Sequence, residues 1–158
     1  MKNTFYYNTK IGEIAIEENG LAITRLYFVN KDLEKEVEIK EETWLMRKAI
    51  KEIKEYLEGK RNSFDLPLEP EGTEFQKKVW NVLKEIPYGE TRSYGEIAKL
   101  IGNEKASRAV GMANNKNPIM IMIPCHRVIG VNGKLVGYAG GLDVKEKLLN
   151  MEKNHEIS

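Results

Sequence analysis

At 158 residues the chain is long enough for one ordinary domain or two small ones sharing an interface, and its 41% hydrophobic and 31% charged residues support a packed core under a solvated surface. No apolar stretch approaches the roughly 20 residues that span a bilayer, and Met1-Lys2-Asn3-Thr4-Phe5 lacks a signal peptide's apolar segment, so a soluble, cytoplasmic protein is expected. The net charge of +1 points to no partner, but residues 1–71 carry 12 basic against 15 acidic side chains (−3) and residues 72–158 carry 13 against 9 (+4), a weak hint of a polyanionic partner for the C-terminal half.

In chain order, residues 4–8, 12–17 and 21–29 read as strands separated by turn signals at Thr9-Lys10 and Glu18-Asn19-Gly20, which predicts a three-stranded antiparallel meander. The charged stretch 30–40 is expected as a loop or frayed turn. Residues 43–58 form an amphipathic pattern with Trp44, Leu45, Ala49, Ile53, Tyr56 and Leu57 on one apolar stripe, its aromatics read as core, and Gly59 as a stop. Pro67 and Pro70 interrupt a stretch without sustained period, so the boundary is placed there and the chain divides into 1–71 and 72–158.

Thr73-Glu74-Phe75-Gln76 is a capping box opening a helix through Phe75, Val79, Trp80, Leu83 and Ile86, which Pro87-Tyr88-Gly89 ends. A second box, Ser93-Tyr94-Gly95-Glu96, opens a short helix through Ile97, Ala98 and Ile101 that closes at Gly102, and a third helix is expected over about 105–113. Two short helices joined by a Gly-containing turn make a helix-turn-helix candidate, a signal many helical cores share. Small residues at Ala106, Ser107, Ala109, Gly111 and Ala113 distinguish the second of them, with Arg108 projecting from among them. The connector 114–118 leads into an apolar run, 121–130. Beyond it come a hairpin-like turn at 131–134, a Gly-rich loop at 135–141 and a final helix over 142–152 with Leu142, Val144, Leu148, Leu149 and Met151 as its apolar positions.

The run 121–130 carries the chain's only cysteine, Cys125, directly before His126. A lone cysteine cannot form an intramolecular disulfide and lacks the paired spacing of a thiolate metal site, which leaves an inert buried thiol or a nucleophile. Pro124 fixes its own φ and pushes Ile123 towards extended geometry, so the strand-like run is expected to end at the thiol. The neighbouring imidazole can take the thiol proton, directly or through one water, leaving a thiolate to attack. That reading leaves the substrate open.

Ile123-Pro124-Cys125-His126-Arg127-Val128, preceded by the helices carrying Tyr94 and Arg108 and by Asn117-Pro118, closely resembles the O6-alkylguanine-DNA alkyltransferases over about residues 75–152. The N-terminal meander plus helix suits that family's first domain. The resemblance implies an α+β fold, with an N-terminal ribonuclease-H-like antiparallel sheet plus helix and a C-terminal winged helix-turn-helix alkyltransferase domain. It implies a monomer that binds double-stranded DNA containing O6-alkylguanine through the minor groove, flips the damaged guanine and transfers its alkyl group irreversibly to Cys125.

By the same resemblance His126 accepts the thiol proton through a water and Glu152 orients the imidazole, with Glu146 the rival carboxylate. Arg108 is the finger that fills the space of the flipped nucleotide, and Tyr94 crowds the 3′ phosphate and hydrogen-bonds guanine N3. Asn103 belongs to the DNA-binding set. Tyr138, Ala139 and Gly140 match the loop that holds guanine O6, and the carbonyls of Cys125 and Val128 receive the exocyclic amine. Some relatives carry serine at the position of Ala139; a backbone N–H contact survives that change. Asn117 matches a hinge asparagine and Lys145 a supporting lysine. No cofactor is implied, and the zinc ligands of certain relatives are lacking, because no Cys precedes Cys125 and His155 is the only other histidine. A damage-binding protein without an acceptor conflicts with cysteine at the nucleophile position, a cysteine hydrolase lacks an obvious water-activating second cycle, and a winged-helix regulator leaves Pro-Cys-His-Arg unexplained.

Overall fold

The computed structural model describes residues 2–29 and 41–154; the stretch 30–40, expected as a loop, and His155 lie outside them. Strands β1 (Asn3–Thr9), β2 (Gly12–Glu18) and β3 (Ile23–Phe28) form the expected antiparallel meander in the order β1-β2-β3. Tyr6, Ile14, Ile16, Ile23 and Leu26 are buried, and helix α1 (Trp44–Leu57) covers this sheet with Met46, Ala49, Ile53 and Tyr56. Thr43 caps α1 by accepting from the Met46 N–H. Trp44 departs from the expected stripe: it is 67% exposed, because as the first helical residue it precedes the turn that reaches the sheet.

The free edge of β3 is covered by two chain segments, which blunts it against pairing elsewhere. Ile23 exchanges backbone hydrogen bonds with the 67–69 segment (Ile23 N–H to Pro67 O, 2.9 Å; Glu69 N–H to Ile23 O, 2.8 Å), and Leu26 does so with 118–120 (2.8 and 2.9 Å). The second of these pairings fastens the connector before Cys125 to the N-terminal sheet.

Helix α2 (Glu74–Leu83) begins with the expected capping box of Thr73 and Gln76, and α3 (Tyr94–Leu100) with that of Ser93 and Glu96. Helix α4 runs over Ser107–Asn115, two residues later than expected at its start. The reason is local: Asn103 Oδ1 accepts from the Lys105 N–H at 3.2 Å and Asn103 O from the Ala106 N–H at 3.0 Å, so 103–106 are spent on a turn. Arg108 consequently stands in the first turn of α4. Trp80 locks α2 to α4 by donating Nε1–H to Ala113 O at 2.9 Å. Two-residue strands β4 (Arg92–Ser93) and β5 (Val128–Ile129) pair in parallel, and α5 (Leu142–Lys153) closes the chain with Val144, Lys145, Leu148 and Glu152 inward and Leu142 exposed. The α+β architecture is the one expected: an antiparallel sheet with its helix, then a helical half containing the α3-turn-α4 pair.

Candidate active site

Cys125 arrives on two successive tight turns rather than on a strand, which corrects the expected strand-like run. Ile121 sits at φ 72°, a left-handed value rare for a β-branched residue, and the Met122 N–H donates to Met120 O at 2.8 Å across it. Burial of Ile121 at 1% exposure holds that conformation in place. Pro124, at φ −80° and ψ 65°, is the centre of an inverse γ-turn closed by the Cys125 N–H and Ile123 O at 2.7 Å. Asn117 ties the segment together: its Nδ2 donates to Ile123 O at 2.7 Å and its Oδ1 accepts from the Ile119 N–H at 3.0 Å. A single turn of 3-10 helix, Cys125–Arg127, then presents thiol, imidazole and guanidinium in succession.

Around Glu152, five donor groups from three parts of the chain converge. His126 Nε2 lies 2.7 Å from Oε2. Arg127 grips both oxygens, Nε to Oε1 at 2.8 Å and Nη2 to Oε2 at 3.0 Å, and also donates Nη1 to Ile86 O at 2.8 Å. The Gly89 N–H donates to Oε1 at 3.2 Å, and the Tyr56 hydroxyl, from α1, donates to Oε2. Burial alone would push the Glu152 carboxyl up; the hydrogen bonds and charges of His126 and Arg127 more than reverse it and hold it at about 2. An ionised Glu152 only accepts, so the proton of this contact sits on His126 Nε2 and Nδ1 is left as an acceptor. Glu146, the rival carboxylate, is exposed to solvent.

His126 Nδ1 is buried and has no hydrogen-bond partner, a state shared by Asn114 Oδ1 and the Tyr138 hydroxyl. Asn114, Asn117, Tyr138 and Ala139 line one small cavity with Cys125, enclosing about 10 Å³, room for one water at most. Burial pushes the Cys125 thiol up to about 11, only partly offset by Asn117 and the Lys145 charge, and burial lowers the His126 imidazole despite Glu152. The resting pair is therefore a neutral thiol beside a neutral imidazole. A larger cleft of about 410 Å³ opens between the 62–68 segment and Tyr88, beside Arg127, and neither Cys125 nor His126 lines it.

The remaining expected residues divide by place. Tyr94 is half-buried, packs within 3.8 Å of where a Gly111 side chain would begin, and donates to Val136 O at 3.4 Å. Tyr138 stands edge-on between Phe28 of β3 and His126, with ring centroids 6.1 and 6.5 Å away. Gly140 is sterically required, since a Cβ there would meet the Phe28 ring at 2.8 Å. Lys145 is fully buried and donates Nζ to Val128 O (2.6 Å) and Val136 O (2.9 Å); desolvation lowers it to about 8. Both carbonyls expected to receive the exocyclic amine thus already carry a donor, Val128 O from Lys145 and Cys125 O from the Val128 N–H and, at 3.5 Å, Asn114 Nδ2. Asn103, Arg108 and Ala139 are exposed, the first two on the helix-turn-helix surface rather than in the cavity. Sequence reasoning did not single out Tyr56, Arg127 or Asn114 as site residues. Arg127 was legible from its place in the motif; the partners of Tyr56 and Asn114 are set only by tertiary packing.

Two family models match the chain: "6-O-methylguanine DNA methyltransferase, ribonuclease-like domain" over residues 3–70 and "6-O-methylguanine DNA methyltransferase, DNA binding domain" over residues 74–154. The chain belongs to this family. It is 56% identical over 148 residues to the methylated-DNA–protein-cysteine methyltransferase of Methanosarcina acetivorans, covering 92% of this chain and 95% of the relative. It is 46% identical over 160 residues to the constitutive methylated-DNA–protein-cysteine methyltransferase of Bacillus subtilis, covering 94% and 95%. A crystal structure of Mycobacterium tuberculosis OGT in complex with DNA superposes with a TM-score of 0.89 at 41% identity, covering 97% of this chain and 94% of that one. Among the described residues no His, Cys, Asp and Glu cluster could hold a metal ion, and no helix is long and apolar enough to cross a membrane.

Proposed function

We propose that this member of the methyltransferase family repairs DNA by direct reversal, moving the alkyl group of O6-alkylguanine from duplex DNA onto Cys125, one group per molecule. The observation that carries the reading is the His126 ring, which directly follows Cys125 in the chain, is fixed at Nε2 by ionised Glu152 and keeps a buried, unpartnered acceptor at Nδ1. In the transfer Cys125 Sγ forms a bond to the alkyl carbon as the bond from that carbon to O6 breaks. The thiol proton passes through one water to His126 Nδ1, and the imidazolium is balanced by Glu152. The departing guanine takes a proton at N3 through the Tyr94 hydroxyl, and the tyrosinate is reprotonated from solvent as the imidazolium releases the thiol proton to solvent, so thiol plus alkylguanine become thioether plus guanine with protons and charge conserved. No leaving group exists on a thioether that His126 could help expel, so the protein does not turn over.

The exposed Arg108 fills the base stack while α4 lies in the minor groove, and Asn103 shapes the turn that aims it. Because the cavity beside Cys125 is so small, an extruded base enters only as the loop carrying Tyr138, Ala139 and Gly140 shifts outward. The division into 1–71 and 72–158, a monomeric state and a cytoplasmic location complete the proposal. Mass spectrometry after mixing with a duplex carrying one O6-methylguanine tests it: one methyl group on the Cys125 peptide and no more than one repaired duplex per protein are expected. Bound duplex without a gain in mass would favour a damage-binding protein instead, and repeated turnover would overturn the proposal.

A further inference from the structure

We propose that Tyr56 is a positioning residue for alkyl transfer: its hydroxyl, donated to Glu152 Oε2 and 3.3 Å from His126 Nε2, fixes the carboxylate against the imidazole and makes the N-terminal half part of the transfer machinery. The inference rests on the reading of Cys125, His126 and Glu152 given above and adds a residue 70 positions from the histidine and 96 from the glutamate. Tyr56 is wholly buried on α1, among positions filled by Met46, Ala49 and Ile53. Phenylalanine would fill such a site as well, so the hydroxyl is what the position adds, and a buried hydroxyl without a partner would be costly. Its ring is held by Phe64, with centroids 5.4 Å apart, and edge-on by Tyr88 at 6.1 Å, which leaves the hydroxyl one direction in which to donate.

The physical consequence follows from the donors on Oε2. His126, Arg127 and Tyr56 share that one oxygen, and each donor lowers its affinity for a proton. Tyr56 therefore keeps the Nε2 proton on the ring and the negative charge on the carboxylate, while holding the plane of the carboxyl group. Removing the hydroxyl leaves Oε2 a stronger base, which grips the imidazolium harder and raises the pH at which His126 protonates. More of the ring is then already charged near neutral pH and unable to accept the thiol proton. The other titratable or charged groups around this contact are Arg127 and Cys125 on the same turn, Lys145 on α5, Tyr138 on its loop and Tyr88 after α2, and none of them changes in the variant.

The test is an NMR titration of the His126 ring in the full chain, which has only one other histidine, His155. In Tyr56→Phe the titration moves up by about one pH unit, the size of one hydrogen bond to a charged group, and single-turnover transfer from O6-benzylguanine slows by up to about fourfold at pH 7 and by up to about tenfold at pH 6, with the loss disappearing towards pH 9. A purely structural role would lower the melting temperature and leave the titration in place. Replacing Tyr56 by 3,5-difluorotyrosine keeps the ring and strengthens the donor, so it shifts the titration downward even if the phenylalanine variant folds poorly. Coincident His126 titrations in wild type and in the fluorinated protein would overturn the proposal. The titration needs no substrate, so that failure is separable from a failure of Cys125 to accept an alkyl group.

Discussion

On its Nε2 face the His126 ring meets a carboxylate that accepts from Arg127, Tyr56 and the Gly89 N–H besides the ring itself, whereas its own Nδ1 lacks a partner, as do the Asn114 Oδ1 and Tyr138 hydroxyl of the residues lining the cavity at Cys125. Both faces are buried, so the difference is not one of solvent. Native interiors satisfy their polar atoms, and a buried atom left unpaired is costly. One side of the imidazole is thus built to stay as it is and the other to react, and the boundary between them runs through a single ring. The contrast also explains a thiol pushed up to about 11: a permanently ionised Cys125 is unnecessary when a fixed, neutral base waits beside it.

The largest effect expected is at the reacting side. Cys125→Ala abolishes alkyl transfer, to the limit of detection by mass spectrometry, while leaving affinity for a duplex with O6-methylguanine in place; residual transfer would break the contrast at once. At the fixed side, Glu152→Gln leaves Arg127 without its buried counter-charge, and breaking such a pair costs about 3–5 kcal/mol of stability by chemical denaturation, with transfer falling roughly 100-fold. Because the folded-state carboxyl lies at about 2, below its ordinary value of 4.5, its contribution is fully present above about pH 4.5 and is lost as pH falls towards 2. The Gln variant has no such contribution to lose, so its acid unfolding curve is flatter over that window.

Smaller effects sharpen the comparison. Arg108→Ala, remote from both faces, lowers repair of duplex DNA far more than attack on free O6-benzylguanine; equal losses would tie the finger to the chemistry. Alkylation of Cys125 forces carbon into a space of about 10 Å³, and overpacking of this kind costs about 1–3 kcal/mol. Since Asn117 binds the same segment to the end of α4, amide exchange across 94–113 rises before that of the N-terminal sheet; an unchanged melting temperature with unchanged exchange would rule this out. The smallest effect is Tyr138→Phe, which removes an unpartnered hydroxyl and leaves stability within about 0.5 kcal/mol of wild type.

What the sequence reveals of this design is what local chemistry encodes. The meander, both capping boxes and the Val144 and Leu148 face of α5 are readable because strand alternation, Thr73–Gln76 and Ser93–Glu96 pairs and helical spacing act within a few residues, whereas Glu152 is legible only through the family resemblance. The start of α4 is missed by two residues because Asn103 spends its side chain on a turn that competes with the helix. The route of the chain to Cys125 is missed for a stronger reason: a left-handed Ile121 contradicts its own propensity and persists only through packing and the two hydrogen bonds of Asn117. Tyr56 is rightly read as buried on α1, but its hydroxyl finds a partner 96 residues away, a distance no periodicity spans.

The contrast between the two faces makes a direct statement about where one proton sits, and nitrogen-15 NMR of the His126 ring at pH 7 reads it. The account predicts a neutral ring in the unalkylated protein, with Nε2 protonated and Nδ1 bare. A proton on Nδ1, or on both nitrogens, would contradict it.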